Sequence, residues 1–297
     1  MTRRKRGLVV SGVLGTTAIA ASCALNAGGI EYLQADGGPG SDDGSSGDGT
    51  TSGEGGGEGG NPDGSNGPCA SDQVFLDAGF CIDKTEVTNE RYIAFLIATG
   101  SDGGGTGACQ GASVFEGAGV EGFAHPEFPV RFIEWCAAEE YCEWAGKRLC
   151  GSIADGGEIA YDNASYKDAA ASEWFYACSA NGNTSYPYGD VNDGGGYDGS
   201  ACNGMDLGEG GVVDVGSLPN CVGGYSGLHD MAGNVWEWEN SCADDSTRTA
   251  NCLIRGGSFS DGNASNMRCD NSGLVPAAQR NQTLLNVGIR CCSNPKL

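Results

Sequence analysis

The sequence predicts one α+β domain with a high loop fraction, held together by disulfides. Of its 297 residues, 53 are glycine, so tight turns must form much of the chain. The helix and strand patterns between these turns are short. Fourteen of the 15 cysteines lie between Cys69 and Cys292, an even number that is typical of a disulfide framework in an oxidising compartment.

The N-terminus has the architecture of a bacterial secretory signal. A basic head is followed by an apolar run and small residues before Cys23. We predict a lipoprotein-type signal over 1–22 with lipid on Cys23, although Ala20 replaces the usual Leu. The alternative is an ordinary signal peptide that is cleaved nearby without lipidation. We therefore expect a lipid anchor in the membrane at the bacterial cell envelope or surface, or secretion if no lipid is added.

Acidic and small residues dominate the stretch that follows Cys23. Residues 24–68 hold eight acidic residues and no Lys or Arg. Such a composition buries too little apolar surface to fold, which predicts a disordered tether over 23–68. Removal of the four basic residues of the signal changes the formal charge from −23 to −27. A charge of this size argues against nucleic acid and against an anionic membrane surface as partners.

The remaining chain, 69–297, is long enough for one large domain. Thr88 is expected to cap a helix that runs through Thr99 and ends at Gly100, and Gly146 to close a second helix. The predicted helices are 89–99, 134–145 and 172–179, and the predicted strands are 74–81, 212–215, 253–254 and 287–291. A Gly-rich insertion covers 101–122.

The cysteines are expected to form disulfides rather than metal sites. The spacings around Cys136 and Cys142 do not fit zinc, and the chain has two histidines, His125 and His229. Cys242 and Cys252 are plausible partners because they bracket a short polar excursion. The other pairings stay open at the level of sequence.

Seven motifs, in chain order, resemble the formylglycine-generating enzyme, or sulfatase-modifying factor, family. They are Asp83-x2-Glu86-Val87-Thr88-Asn89-x2-Tyr92-x2-Phe95, Pro129-Val130-x4-Trp135-x5-Tyr141-Cys142-x-Trp144-Ala145-Gly146-Lys147-Arg148-Leu149, Ser172-Glu173-Trp174, Tyr186-Pro187-Tyr188-Gly189, Gly227-Leu228-x-Asp230-Met231-x-Gly233-Asn234-Val235-Trp236-Glu237-Trp238, Arg255-Gly256-Gly257-Ser258-Phe259 and Gly288-Ile289-Arg290-Cys291. The resemblance covers 81–292 and implies the loop-rich fold of that family, a variant of the C-type lectin fold.

The resemblance also implies a catalytic site that this sequence does not complete. The family's founding activity is the copper-dependent oxidation of a sulfatase cysteine to formylglycine, and two thiolates suit Cu(I). The first thiolate position falls on Asp261 and the second on or near Asn266, and Cys269 matches a later, structural cysteine. Copper is therefore not expected. The three-histidine iron centre of sister branches is not expected either, because the chain has only His125 and His229.

Other positions of the family's substrate cleft are retained. Trp236, Ser258 and Asn286 resemble cleft-lining residues, and Asp261 is an unfamiliar addition to them. The simpler interpretation is structural: Trp236 belongs to the core, Ser258 closes a turn and Asn286 ties the last strand.

Calcium is the cofactor that the resemblance favours. A structural ion would be held by the side chains of Asp230 and Glu237 and the carbonyls of Gly233 and Val235, since Ca²⁺ prefers hard oxygen ligands. A weaker second calcium site falls at Asn203 and Gly204. Asp206 or Glu209 would be its substitute ligands.

Three classes of function follow from these expectations. The first is an exported, lipid-anchored module that recognises an unknown protein or glycan ligand, or acts as a scaffold, without formylglycine-generating activity. The alternative is an oxidoreductase or protein-modifying enzyme of the same family that uses a different catalytic set. The third is a structural envelope protein whose domain only displays loops.

Overall fold

The computed structural model describes residues 68–100, 107–112, 124–189, 196–271 and 275–296. The predicted signal over 1–22, Cys23 and the tether lie outside the described residues, except for Pro68 at its end, and so does most of the 101–122 insertion. Among the described residues, no helix is long and apolar enough to cross a membrane.

The helices are short and the strands form two four-stranded sheets within the described part of the chain. The helices are α1 Asn89–Thr99, α2 Trp135–Trp144, α3 Asn163–Tyr166 and α4 Glu173–Cys178, with 3₁₀ turns at Gly107–Cys109 and Met205–Leu207. The strands are β1 Gln73–Leu76, β2 Phe80–Asp83, β3 Arg148–Leu149, β4 Trp236–Cys242, β5 Asn251–Arg255, β6 Ala277–Gln279, β7 Val287–Gly288 and β8 Cys291–Ser293. The sheet orders are β1-β2-β8-β3 and β6-β5-β4-β7, and β4 with β7 is the parallel pair.

The three predicted helices are present, and side-chain caps begin two of them. The Thr88 hydroxyl accepts a hydrogen bond from the Arg91 N–H, and Gly100 ends α1 in the left-handed conformation at φ 63°. Glu134 precedes α2 in an extended conformation, so this helix begins one residue later than predicted. The hydroxyl of Ser172 caps α4 by accepting from the Phe175 N–H.

Several predicted strands were wrong. The stretch 74–81 is not one strand but a hairpin of β1 and β2 that turns at Gly79, where φ is 94°. The stretch 212–215 is a loop, because the Val213 N–H donates to the Asn234 side chain and the Val215 N–H to the Glu127 carbonyl. The Gly227–Trp238 motif contains the start of β4, the longest strand described.

Seven disulfides join all fourteen cysteines of the described chain, which confirms the disulfide framework and the Cys242–Cys252 pair. The other pairs are Cys69–Cys81, Cys109–Cys136, Cys142–Cys291, Cys150–Cys292, Cys178–Cys269 and Cys202–Cys221. Helices α1 and α2 share one hydrophobic core with the second sheet and with β3 and β8 of the first, whereas α4 shares another with β1 and β2. The turn before β4 and the turn after β5 carry the candidate site.

Candidate functional site

The glycine-rich turn before β4 is tightly fitted to its neighbours. Asp230, Gly233 and Asn234 all adopt positive φ angles of 57°, 78° and 58°. A Cβ on Gly233 would lie 2.6 Å from the Asn203 carbonyl oxygen, so only glycine fits there. The Gly233 N–H donates to the Gly256 carbonyl at 2.9 Å, which joins this turn to the turn after β5.

A group of buried charges lies beneath this turn. The Arg290 guanidinium donates to both oxygens of the Glu237 carboxylate at 2.9 and 3.0 Å through Nε. Trp174 Nε1 donates to the same carboxylate at 2.6 Å. Glu86 accepts from the Asn234 side chain and, at 3.0 Å, from the Val235 N–H. Each of these side chains is fully or almost fully buried, so their hydrogen bonds hold the turn against the sheet.

Negative charge exceeds positive charge in this group. Burial raises the pKa of Glu86 well above its usual value, and repulsion from Asp230 and Glu237 adds to the shift. Burial also raises the pKa of Asp230, against the effect of the Gly216 N–H hydrogen bond and of Arg290. Three carboxylates therefore surround one guanidinium, which favours a proton or a further cation.

Two of the predicted calcium ligands have a side-chain oxygen without a hydrogen-bond donor among the described residues. Asp230 Oδ1 and Asn203 Oδ1 are buried and have no hydrogen-bond partner among the described residues. The Glu237 carboxylate is shared with Arg290. Within the described ranges, no three His, Cys, Asp or Glu side chains are arranged to hold a metal ion, so both predicted sets depend on carbonyl and amide oxygens as well. These two free acceptor oxygens suit a hard cation such as Ca²⁺.

A second group of polar side chains follows the Arg255-Gly256-Gly257 turn at the end of β5. The Ser258 hydroxyl donates to Asp261 Oδ2 at 2.6 Å, and the Ser258 N–H donates to the same oxygen at 3.0 Å. Asn266 Nδ2 donates to the other oxygen, Asp261 Oδ1, at 2.5 Å. Asn286 Nδ2 donates at 3.1 Å to both the Ser258 and the Ser260 hydroxyls. We call these five residues the Ser258 cluster.

The structure brings together three of the four predicted cleft side chains: Ser258, Asp261 and Asn286. Trp236 joins them through its backbone, since its N–H donates to the Asn286 carbonyl at 2.8 Å, while its side chain belongs to the core around α1 and α2. Ser258 is fully buried, whereas Ser260 is exposed and Asp261 and Asn286 are partly exposed. Ser260 was not predicted, and its position two residues after Ser258 in a turn was the available signal.

The sequence of the described domain matches a known family over most of its length. Residues 45–295 match the sulfatase-modifying factor enzyme 1-like domain. The chain belongs to this family. The match begins inside the stretch predicted as a tether, and it confirms the predicted loop-rich α+β fold of the family.

Individual relatives of this family differ from the chain in most positions. The formylglycine-generating enzyme of Streptomyces coelicolor is 27% identical over 202 residues, which are 56% of this chain and 57% of that enzyme. The chain thus spans little more than half the length of this curated relative. Similar solved structures include PvdO from Pseudomonas aeruginosa (TM-score 0.48, 22% identity, 72% of this chain and 80% of that chain) and CarF (0.45, 18%, 72% and 86%). A third is Treponema denticola variable protein 1 (0.45, 17%, 73% and 84%).

The Ser258 cluster occupies the place where the resemblance to the sulfatase-modifying factor family put a copper site. Asp261 and Asn266, which the resemblance aligns with the two thiolate positions, are hydrogen-bonded to each other. Cys269 is bonded to Cys178, in agreement with its predicted structural role. Because every cysteine in the described part of this family member is in a disulfide, none of them is a free thiolate.

Proposed function

We propose that this sulfatase-modifying-factor-like protein is an exported recognition or scaffold module of the bacterial cell envelope that does not generate formylglycine. The observation that carries the proposal is the contact between Asp261 and Asn266 at 2.5 Å. A carboxylate and an amide are hard ligands, and they do not select Cu(I) as two thiolates do. The exposed part of the Ser258 cluster instead offers hydroxyl and amide groups that suit a protein or glycan ligand.

Copper binding and oxygen consumption test this proposal directly. The purified chain, with its disulfides intact, is titrated with Cu(I) against a chromogenic chelator and then mixed with a thiol-containing sulfatase peptide in air. We expect no saturable copper binding, no oxygen uptake and no aldehyde in the peptide, while a formylglycine-generating enzyme serves as the positive control. Tight one-to-one copper binding together with oxygen uptake would overturn the proposal.

A second candidate function rests on the short contact between Ser258 and Asp261. A hydroxyl that donates to a carboxylate at 2.6 Å is polarised, and this favours an enzyme of the family with a different catalytic set. The Ser258→Ala and Asp261→Ala variants separate the two candidates. Equal phenotypes and activities for both variants and the parent protein would remove the support for the enzyme.

Membrane attachment through Cys23 completes the proposed function. The signal architecture over 1–22 and the acidic composition of 24–68 support it. Fractionation of cells that express the parent chain or the Cys23→Ser variant tests it. We expect the parent protein in the membrane fraction and the variant in the soluble fraction of the envelope or the medium. The same distribution for both proteins would show that attachment does not depend on Cys23.

We also propose that calcium supports the fold of the turn before β4. Asp230 and Glu237, with the carbonyls of Gly233 and Val235, would hold the ion, and Asn203 and Gly204 would hold a second. The partnerless oxygens of Asp230 and Asn203 support this proposal.

A further inference from the structure

A polar cavity of about 340 Å³ lies at the opposite end of the second sheet from the Ser258 cluster. It is open to solvent and is bordered by α2, the 3₁₀ turn at Gly107–Cys109 and the segment after β4. In the antiparallel pair β4–β5, Glu237 is opposite Arg255, close to Ser258, whereas Cys242 is opposite Cys252 at the far end. The cavity borders this far end. Its chemistry is therefore independent of the function proposed above.

Three carboxylates line this cavity: Glu139, Glu158 and Asp245. The Glu139 carboxylate lies 3.9 Å from the sulfur of Cys109, which has no proton to donate because it is in a disulfide. Glu158 accepts a hydrogen bond from the Cys242 N–H at 3.0 Å and also interacts with the Asp245 side chain. Burial, together with this interaction with Asp245, raises the pKa of Glu158. Burial raises the pKa of Glu139 to about 7, with further contributions from Glu143 and Asp245. Negative charge in the cavity is thus poorly compensated, which favours a cationic ligand.

One buried guanidinium lines the same cavity and retains unused donors. Arg280 is 2% exposed and donates through Nη1 to the Thr247 carbonyl at 3.1 Å. Its Nη2 lies 3.5 Å from Asp245 Oδ1, longer than an ordinary hydrogen bond, and its Nε has no partner among the described residues. The guanidinium carbon is 4.9 Å from the centre of the Trp135 ring. A planar donor set with spare N–H groups suits a carboxylate.

We propose that this cavity binds a free basic α-amino acid. The ammonium groups of the ligand contact Glu139 and Glu158, and its carboxylate faces Arg280. A ligand of this class carries one net positive charge, which complements three carboxylates and one guanidinium. A volume of about 340 Å³ is at the lower end of small-molecule sites, about 300–1,000 Å³, and suits a ligand of amino-acid size.

Calorimetric titration of the full chain with L-lysine tests this assignment. At pH 8 we expect saturable binding, and weaker binding of 1,5-diaminopentane, which lacks the carboxylate. Glu139→Gln keeps the shape of the side chain but removes its charge, so it should weaken L-lysine binding about tenfold or more, as expected for the loss of one charge-assisted hydrogen bond. Glu140→Gln, on the same helix but outside the cavity, is the matched control and should bind as the parent does.

The pH dependence adds a second readout. L-lysine should bind more weakly at pH 6 than at pH 8, because protonation of Glu139 removes charge, and this difference should shrink in Glu139→Gln. The charged groups that act on Glu139 are Glu143, Asp245 and Arg280. If Glu139→Gln unfolds, Glu158→Gln, on an exposed loop, replaces it. Absence of L-lysine binding by the parent chain, or equal binding by the parent and both cavity variants, overturns the proposal.

Discussion

Asn266 donates its side-chain amide to the carboxylate of Asp261 at 2.5 Å, across five positions of the chain. The turn after β5 thus brings together the ends of the two side chains that the resemblance aligns with the thiolate positions of the family. Ser258 fixes the other carboxylate oxygen of Asp261 through its hydroxyl and its N–H. Side chains at positions 261 and 266 can therefore approach one common point, and neither of them is a thiol.

The first prediction concerns variants in which thiols replace the side chains of Asp261 and Asn266. The double variant Asp261→Cys with Asn266→Cys should bind one Cu(I) ion tightly once the two new thiols are reduced, because two soft ligands then converge. Competition with a chromogenic Cu(I) chelator measures this binding. Neither single cysteine variant should bind comparably.

The matched control for this variant is Asp261→Ser with Asn266→Ser, which has similar side-chain size but no sulfur. It should bind no Cu(I). If the double cysteine variant, with both thiols verified by a thiol assay, also fails to bind copper, then these two positions are not equivalent to the thiolate pair.

The helices could be predicted from the sequence because their signals are local. Thr88 and Gly100 begin and end α1 through contacts with residues three or four positions away. Strand β4 could not be predicted in this way, since Glu237 and Glu239 are unusual in a buried strand. They are neutralised by Arg290 and Arg255, which come from later parts of the chain. Such long-range compensation has no local signature.

The candidate site was predictable to a similar extent. Ser258, Asp261 and Asn286 were identified from motif positions, and they are joined by hydrogen bonds. Ser260 was missed because its role depends on the fold of the turn. The valines of 212–215 suggested a strand, but a side chain, that of Asn234, satisfies the Val213 N–H.

The second prediction concerns the fully buried ion pair between Arg255 and Glu239. Arg255 Nε and Nη2 donate to the carboxylate at 2.6 and 2.8 Å, and the guanidinium lies 3.5 Å over the Tyr166 ring. Glu239→Ala leaves a buried charge without its partner, and this should lower the free energy of unfolding by about 3–5 kcal/mol. Urea unfolding with the disulfides intact measures the change.

A partly exposed pair provides the comparison. The side chains of Arg268 and Asp270 are 24% and 27% exposed, and their closest approach is 2.6 Å. Asp270→Ala should change the free energy of unfolding by about 0–1 kcal/mol. If Glu239→Ala and Asp270→Ala lower the free energy of unfolding by similar amounts, burial does not determine how much the Arg255–Glu239 pair stabilises the fold.

The third prediction tests calcium. If the turn before β4 binds Ca²⁺, a calcium concentration one hundred times the Kd should stabilise the chelator-treated protein by about 2.7 kcal/mol. Asp230→Asn should remove most of this effect, because it replaces a charged ligand by a neutral one. Thermal unfolding with and without calcium measures the shift.

Asp244→Asn is the control for the calcium experiment. Asp244 accepts from the N–H and hydroxyl of Ser246 in an exposed turn after β4, and it belongs to neither proposed calcium site. This variant should respond to calcium as the parent protein does. A calcium shift of the same size in Asp230→Asn, or no shift in the parent, would contradict a calcium site at Asp230.

The fourth prediction concerns the adjacent cysteines of β8. Cys291 is bonded to Cys142 in α2, and Cys292 to Cys150 after β3, with sequence separations of 149 and 142 residues. Either bridge alone already joins the same two segments of the unfolded chain. The other bridge then closes only the short loop between Cys142 and Cys150. Replacing either pair by alanine should therefore lower the free energy of unfolding by about 3 kcal/mol.

Removal of both bridges should have a larger effect than the two single losses together. Removal of the second bridge opens a long loop in the unfolded chain. In the chain-entropy description, the double removal should therefore lower the free energy of unfolding by about 1–2 kcal/mol more than the sum of the two single removals. The Cys242–Cys252 bridge is the control, since it closes ten residues independently of β8. Its removal should be additive with the removal of either β8 bridge. Strict additivity of the two β8 bridges in urea unfolding would show that they do not share one loop constraint.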